Sequence, residues 1–164
     1  SYSVSGRVAN PGLVLAPAGT TASELIEKCG GMAEGHTFKA YLPGGASGGI
    51  LPASKADIEL DFDGELAKYG CFVGSHAIVI LSDSDNIWDV AKNLVRFFKH
   101  ESCGQCTPCR AGTEKALSIM NSTEYQPELL SEIATVMRDA SICGLGQAAS
   151  NPLRCVMRYF PKEV

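Results

Sequence analysis

No long apolar run interrupts this sequence: nothing in it approaches the roughly 18 apolar residues that a membrane-spanning helix needs. A basic surplus is missing too. Lys and Arg number 14 against 18 Asp and Glu, a formal net charge of −4, which speaks against a nucleic-acid-binding surface. The opening residues, SYSVSGRVANPG, alternate in polarity and lack the charged-then-apolar build of a secretion signal. There is also no initiator Met, and the chain is expected to be part of a longer polypeptide. The odd count of seven cysteines argues against a complete disulfide framework, and with three of them crowded into seven residues, metal or cluster binding in a cytoplasmic setting is expected instead. What is present, in 164 residues, suffices for a real core in one domain or two small ones.

The chain changes character near residue 84. Before it, Gly and Pro are frequent and apolar runs are short, as in a small β-rich domain. Two short strands are expected at Tyr2–Val8 and Gly12–Ala16, joined by a turn at Asn10-Pro11-Gly12. Thr21 and Glu24 have capping-box spacing, Leu25, Ile26 and Cys29 share a helical face, and Gly30-Gly31 ends that helix. FKAYLP and HAIVILS read as further strands, with the glycine-rich GGASGG and a short extended piece at Ile50–Leu51 between them, and GELAKYG as one helical turn. The order suggests a compact β-grasp-like α+β domain over residues 1–84.

From Asp85 the period becomes helical. Ile87, Trp88, Ala91, Leu94, Val95 and Phe98 form one stripe, to about His100. Thr107-Pro108 reads as an N-cap and first helical position for a helix to Met120. Pro127 starts another, striped by Leu129, Leu130, Ile133, Val136, Met137 and Ala140, and Asn151-Pro152 starts the last. Residues 85–164 are therefore expected to be a four-helix bundle with cysteines in its loops.

Three cysteines, Cys103, Cys106 and Cys109, stand at C-x2-C-x2-C spacing in ESCGQCTPCRAGTEK. Short gaps let successive thiolates, and the N–H groups between them, fold around one centre. Structural zinc sites usually take paired C-x2-C knuckles from two segments instead of a trio. A bacterial ferredoxin would place a further cysteine four positions on, where Thr113 stands. S-adenosylmethionine radical enzymes generally use a wider first gap. A single [4Fe–4S] cluster with three local ligands and one remote ligand remains. Cys143, in the glycine-rich SICGLGQ between two helices, is the expected fourth ligand, whereas Cys29, Cys71 and Cys155 read as small buried apolar residues. A negative cluster needs compensating dipoles and cations, and Lys99, His100 and Arg110 flank the trio.

ESCGQCTPCRAGTEK followed by SICGLGQAASNP resembles the C-terminal cluster domain of the flavin- and NADH-binding subunit shared by respiratory complex I, NAD-reducing hydrogenases and NAD-dependent molybdenum formate dehydrogenases. SGRVANPGLVLAPAGTTASELIEKCGG with PGGASGGILP is similar to the SLBB-type β-grasp domain that precedes it in those subunits. GQAASNPLRCVMRYFPKEV looks closest to the formate dehydrogenase β subunit. The resemblance covers nearly the whole chain and implies Cys103, Cys106, Cys109 and Cys143 as cluster ligands. It further implies an upstream domain carrying FMN and NADH, a small [2Fe–2S] subunit and a larger catalytic subunit as partners. The family's upstream G-R-G-G-A-G loop has no counterpart here: PGGASGGILP lacks its spacing and a following helix, so FMN and NAD are not expected on this segment. The chain is thus expected to relay electrons between FMN and further iron–sulfur centres of an NAD(H)-linked oxidoreductase, with no catalytic residue of its own. The competing expectation is a scaffold or ligand-binding module with a structural four-cysteine zinc site.

Overall fold

The computed structural model describes residues 1–164, and the chain divides into two units, Ser1–Asn86 and Ile87–Val164. Strands of the first are β1 (Tyr2–Gly6), β2 (Gly12–Val14), β3 (Phe38–Leu42), β4 (Leu51–Pro52) and β5 (Ala77–Ser82), in sheet order β2-β1-β5-β3-β4. β1 and β5 run parallel, and each other neighbouring pair is antiparallel. Parallel neighbours need a long crossover, and here it contains helix α1 (Ala22–Lys28) and the β3–β4 hairpin. The period-2 pattern explains the burial: Tyr2 and Val4 are buried while Ser3 and Ser5 face solvent, and Ile78 and Ile80 join the same core. α1 adds Ala22, Leu25 and Ile26. Its start is the expected capping box, with Thr21 Oγ1 accepting from the Glu24 N–H at 3.2 Å and Glu24 Oε2 accepting from the Thr21 N–H at 2.8 Å.

Both N-terminal strands are shorter than their sequence pattern. β1 stops at Gly6, and Val8 forms an isolated bridge with Met32 instead. The glycine-rich segment 43–49 packs main chain against main chain. A Cβ on Gly44 would lie 2.1 Å from the Val73 carbonyl oxygen, and one on Gly48 would lie 2.7 Å from that of Phe72. The segment leads into β4 and a single 3₁₀ turn at Ala53–Lys55, with no α-helix following.

After β5, the Asp85 carboxylate accepts from Arg7 Nε and Nη2 at 3.2 and 2.8 Å and from the Ser82 N–H at 2.9 Å. Its pKa is pulled down to about 2, chiefly by the Arg7 hydrogen bond. Asp85 therefore belongs with the sheet, and the helical unit begins at Ile87.

Five helices make the second unit: α2 (Ile87–Glu101), α3 (Thr107–Met120), α4 (Pro127–Ala140), α5 (Gly144–Ala148) and α6 (Asn151–Tyr159). The short α5 is additional to the four that periodicity predicts. α2 buries Ile87, Ala91, Val95 and Phe98, the inner part of its predicted stripe, and α4 buries Leu130, Ala134 and Met137. Leu153 and Val156 of α6 complete this core, each fully buried aliphatic contributing roughly 1.5–3 kcal/mol. α3 packs on α2 and α4, and α6 on the same two. Glu163 Oε2 accepts from the Ile87 N–H at 2.7 Å, satisfying an orphan donor at the positive end of α2. Two caps fall one residue before their expected places, at Cys106 and Ser150, because Thr107 and Asn151 are already helical. No helix is long and apolar enough to cross a membrane.

Candidate functional site

The α2–α3 connection is short and sharply turned. Gly104 has φ +78°, a conformation that side chains other than glycine rarely take, and its N–H donates to Ser102 Oγ at 3.3 Å. That turn reverses the chain between Cys103 and Cys106. Cys106 is the extended N-cap of α3, and its carbonyl accepts from the Arg110 N–H at 3.0 Å. Cys109 lies within the first turn, buried, with Sγ donating to Ser102 Oγ at 3.3 Å. Thr113 is fully buried and donates to the Cys109 carbonyl at 2.8 Å.

Cys143 arrives from another part of the chain as the N-cap of α5, just after α4 ends. All four cysteines line one cavity of about 100 Å³, with Ser102 and Leu145 among the remaining walls. Cys103 and Cys143 are exposed, Cys106 is half-buried and Cys109 buried, so the sulfurs run from solvent inward. No three His, Cys, Asp or Glu side chains converge closely enough to hold a single metal ion.

Electrostatics around the cavity favour anionic sulfur. The Cys106 thiol is pushed below its usual pKa, chiefly by the N–H of Ile142 and then by that of Cys109. N–H groups from two separate segments, one after α4 and one in α3, thus act on one sulfur. Ser141, at the end of α4, is buried and its Oγ has no hydrogen-bond partner, yet it faces Cys106 closely enough to add to the same lowering. Gly146 makes this packing possible: its missing Cβ would meet Ser141 Oγ at 2.5 Å and Cys109 Cβ at 2.9 Å.

Of the three flanking cations, only Arg110 is folded onto the cysteine loop, donating to the Gly104 carbonyl and to Thr107 Oγ1. Lys99 pairs with Glu114 at 3.3 Å, and His100 is exposed on α2. Cys29, Cys71 and Cys155 are 2–3% exposed, and none of them lines the cavity. Sequence reasoning passed over Ser102, Ser141 and Gly146. Their signal is weak, a small residue one to three positions from a cysteine, and only the packing reveals what they touch. A second cavity of about 390 Å³ between α3 and α4 is lined mainly by Pro108, Ala111, Leu129, Ile133 and Val136, with no grouping of reactive side chains.

Residues 89–164 match the family described as the NADH-ubiquinone oxidoreductase-F iron-sulfur binding region, and residues 1–51 match the SLBB domain. An NADH-quinone oxidoreductase F subunit of Rhizobium meliloti is 35% identical over 99% of this chain and 40% of its own length. The NADP-reducing hydrogenase subunit of Solidesulfovibrio fructosivorans is 32% identical over 99% of this chain and 34% of its own. The crystal structure of an NAD+-reducing [NiFe]-hydrogenase in the H2-reduced state superposes with a TM-score of 0.87 at 29% identity, covering 99% of this chain and 28% of that one. The chain spans about two fifths of the length of the curated relatives it matches. It comprises an SLBB domain and an NADH-ubiquinone oxidoreductase-F iron–sulfur binding region, homologous to the F subunits of NADH-quinone oxidoreductases and to an NAD-reducing hydrogenase subunit.

Proposed function

We propose that Cys103, Cys106, Cys109 and Cys143 hold one [4Fe–4S] cluster, and that this chain is the electron-relay part of an NAD(H)-linked oxidoreductase. The observation that carries this reading is the meeting of three local cysteines and one remote cysteine at a single cavity. When bound, such a cluster takes up and releases one electron at a time, between FMN on an upstream domain and further iron–sulfur centres. The residues around it serve binding and tuning. Cys106 and Cys143 present their sulfurs at helix N-termini, Ile142 and Cys109 aim N–H groups at Cys106, and Arg110 braces the Gly104 turn. No side chain of this segment is assigned as a general acid, base or nucleophile.

The first unit is read as the SLBB-type β-grasp domain, on its central parallel strand pair and single α-helix, and the second as a helical cluster domain built on four longer helices. The finer assignment, to the β subunit of an NAD-dependent formate dehydrogenase, rests on the resemblance of residues 146–164. Its implied partners are the larger catalytic subunit and the small [2Fe–2S] subunit. Formate-dependent NAD reduction by the assembled complex tests that assignment, and activity with hydrogen or quinone in its place would redirect it.

A structural zinc site is the competing reading. Structural zinc usually takes paired C-x2-C knuckles from two segments, whereas here three local cysteines and one remote cysteine line the cavity. Iron and acid-labile sulfide per chain, with the EPR spectrum after dithionite reduction, decide between them. About four of each with a reduced-cluster signal supports the relay. One zinc, without sulfide or signal, would replace it with a structural module.

A further inference from the structure

Ser141 holds a buried hydroxyl with nowhere conventional to donate. The residue is 6% exposed and its Oγ lacks a hydrogen-bond partner, although buried polar side chains nearly always find one. Its main chain is fully engaged, the N–H donating to the Met137 carbonyl at 3.3 Å and the carbonyl accepting from Gln147 Nε2 at 3.1 Å. The backbone therefore has little freedom to carry the hydroxyl elsewhere. From the far side Gly146 closes the space, since the point where its Cβ would stand is 2.5 Å from Ser141 Oγ and 2.9 Å from Cys109 Cβ. Thr113 and Ser150, the other buried hydroxyls of this unit, behave ordinarily, donating to main-chain carbonyls at 2.8 and 3.2 Å. Ser141 differs in its surroundings: its hydroxyl is packed against Gly146 beside the Cys109 side chain, two residues before Cys143, and both of those cysteines line the cavity.

We propose that Ser141 is a potential-setting residue, whose hydroxyl donates an O–H···S hydrogen bond to a neighbouring cysteine sulfur of the cavity when that sulfur is a cluster ligand, and so raises the reduction potential. The inference rests on the cluster reading above and adds a role for a residue outside the ligand set. Its physical basis is charge. A hydrogen bond to an anionic acceptor strengthens as negative charge on that acceptor grows, and one-electron reduction adds charge shared with the ligating sulfurs. The donor therefore favours the reduced state over the oxidised one. Serine does not ionise in the working range, so this contribution is independent of pH.

The test is an EPR-monitored redox titration of anaerobically purified holo-protein, comparing the wild type with Ser141→Ala, Ser141→Thr and Ser150→Ala. Ser141→Ala is expected to retain the wild-type iron and sulfide. At a fixed ambient potential its reduced-to-oxidised ratio should fall about tenfold, a midpoint about 59 mV lower for one electron. Ser141→Thr keeps the hydroxyl and should stay at the wild-type midpoint. Ser150→Ala should lose stability without moving the midpoint. A fully loaded Ser141→Ala protein with the wild-type midpoint overturns the proposal, as does an equal shift in Ser150→Ala. Should Ser141→Ala fail to hold iron, Ser141→Cys, close in size and a weak donor, is titrated in its place: a lowered midpoint supports the proposal and an unchanged one overturns it. A wild-type protein without iron and sulfide refutes the cluster reading itself, and the role of Ser141 with it.

Discussion

Alanine at Gly144 and alanine at Gly146, introduced separately, should shift stability in opposite directions although the two positions share one short helix. Replacing glycine by alanine in a helix gains up to about 1 kcal/mol from backbone propensity and the reduced freedom of the unfolded chain. At Gly144 nothing lies within 4 Å of the added Cβ, so most of that gain should survive. At Gly146 the added Cβ would meet Ser141 Oγ at 2.5 Å, Ser141 Cβ at 2.6 Å and Cys109 Cβ at 2.9 Å. Two of these atoms are fixed to the main chain, so relief requires moving α5 away from α3 and α4. Overpacking of this kind costs about 1–3 kcal/mol, leaving a net loss on the order of 1–2 kcal/mol after the propensity gain. For a helical unit of this size, each kcal/mol moves Tm by roughly 4–8 °C. Calorimetry of the holo-proteins should show Gly144→Ala unchanged or a few degrees up, and Gly146→Ala lower by about 4–16 °C. Iron content supplies a second reading, because moving α5 carries its N-cap, Cys143, away from the cavity. Gly146→Ala melting at or above the wild-type temperature, or Gly144→Ala losing as much, would refute the packing argument.

Cys143→Ser should lose most of its iron after anaerobic purification, whereas Cys155→Ser, buried in α6 and not lining the cavity, should retain it; equal losses would remove Cys143 from the ligand set. The Asp85–Arg7 pair predicts a pH dependence of the first unit. With its folded-state pKa drawn down to about 2, the Asp85 carboxylate contributes stability that is fully present above about pH 4 and is lost as pH falls through 2. The Tm difference between wild type and Asp85→Asn should therefore be steady near neutrality and close towards pH 2. A gap that persists at pH 2 would mean that the ion pair is not its source.

Much of this architecture was readable from local patterns, because local physics sets it. The Thr21–Glu24 capping box needs only residues three apart, and the stripe of α2 needs only the helical period, whereas α4 buries Leu130 and Met137 of its expected stripe but leaves Val136 and Ala140 exposed. Cys103, Cys106 and Cys109 announce themselves by spacing, and Cys143 by the glycines after it. What escaped depends on contacts distant in sequence. Asp85 looks like the first residue of the helical half until Arg7, 78 positions earlier, is seen to hold its carboxylate. α5 was invisible because Gly144 and Gly146 are poor helix formers, and only close packing against Ser141 and Cys109 explains a glycine inside it. The GGASGG segment reads as a mobile turn in isolation, but its glycines are where two stretches of main chain touch. For Ser141 the sequence shows a hydroxyl two residues before a cysteine and says nothing of what surrounds it.

The parallel pairing of β1 with β5 also dictates when the first unit can form. Until residues 77–82 leave the ribosome, the strands of this unit form only two separate two-stranded pieces, β1–β2 and β3–β4, with no strand joining them. Such pieces are marginal in water on their own. At roughly 5–20 residues per second, synthesis leaves them waiting for several seconds. Throughout that interval the inner edges of β1 and β3 offer unpaired N–H and C=O groups to any passing strand. β5 then enters between them and satisfies both edges in one event. Assembly of this unit is therefore late and cooperative, and a chain stalled before Ala77 presents two aggregation-prone edges that the finished protein keeps sealed.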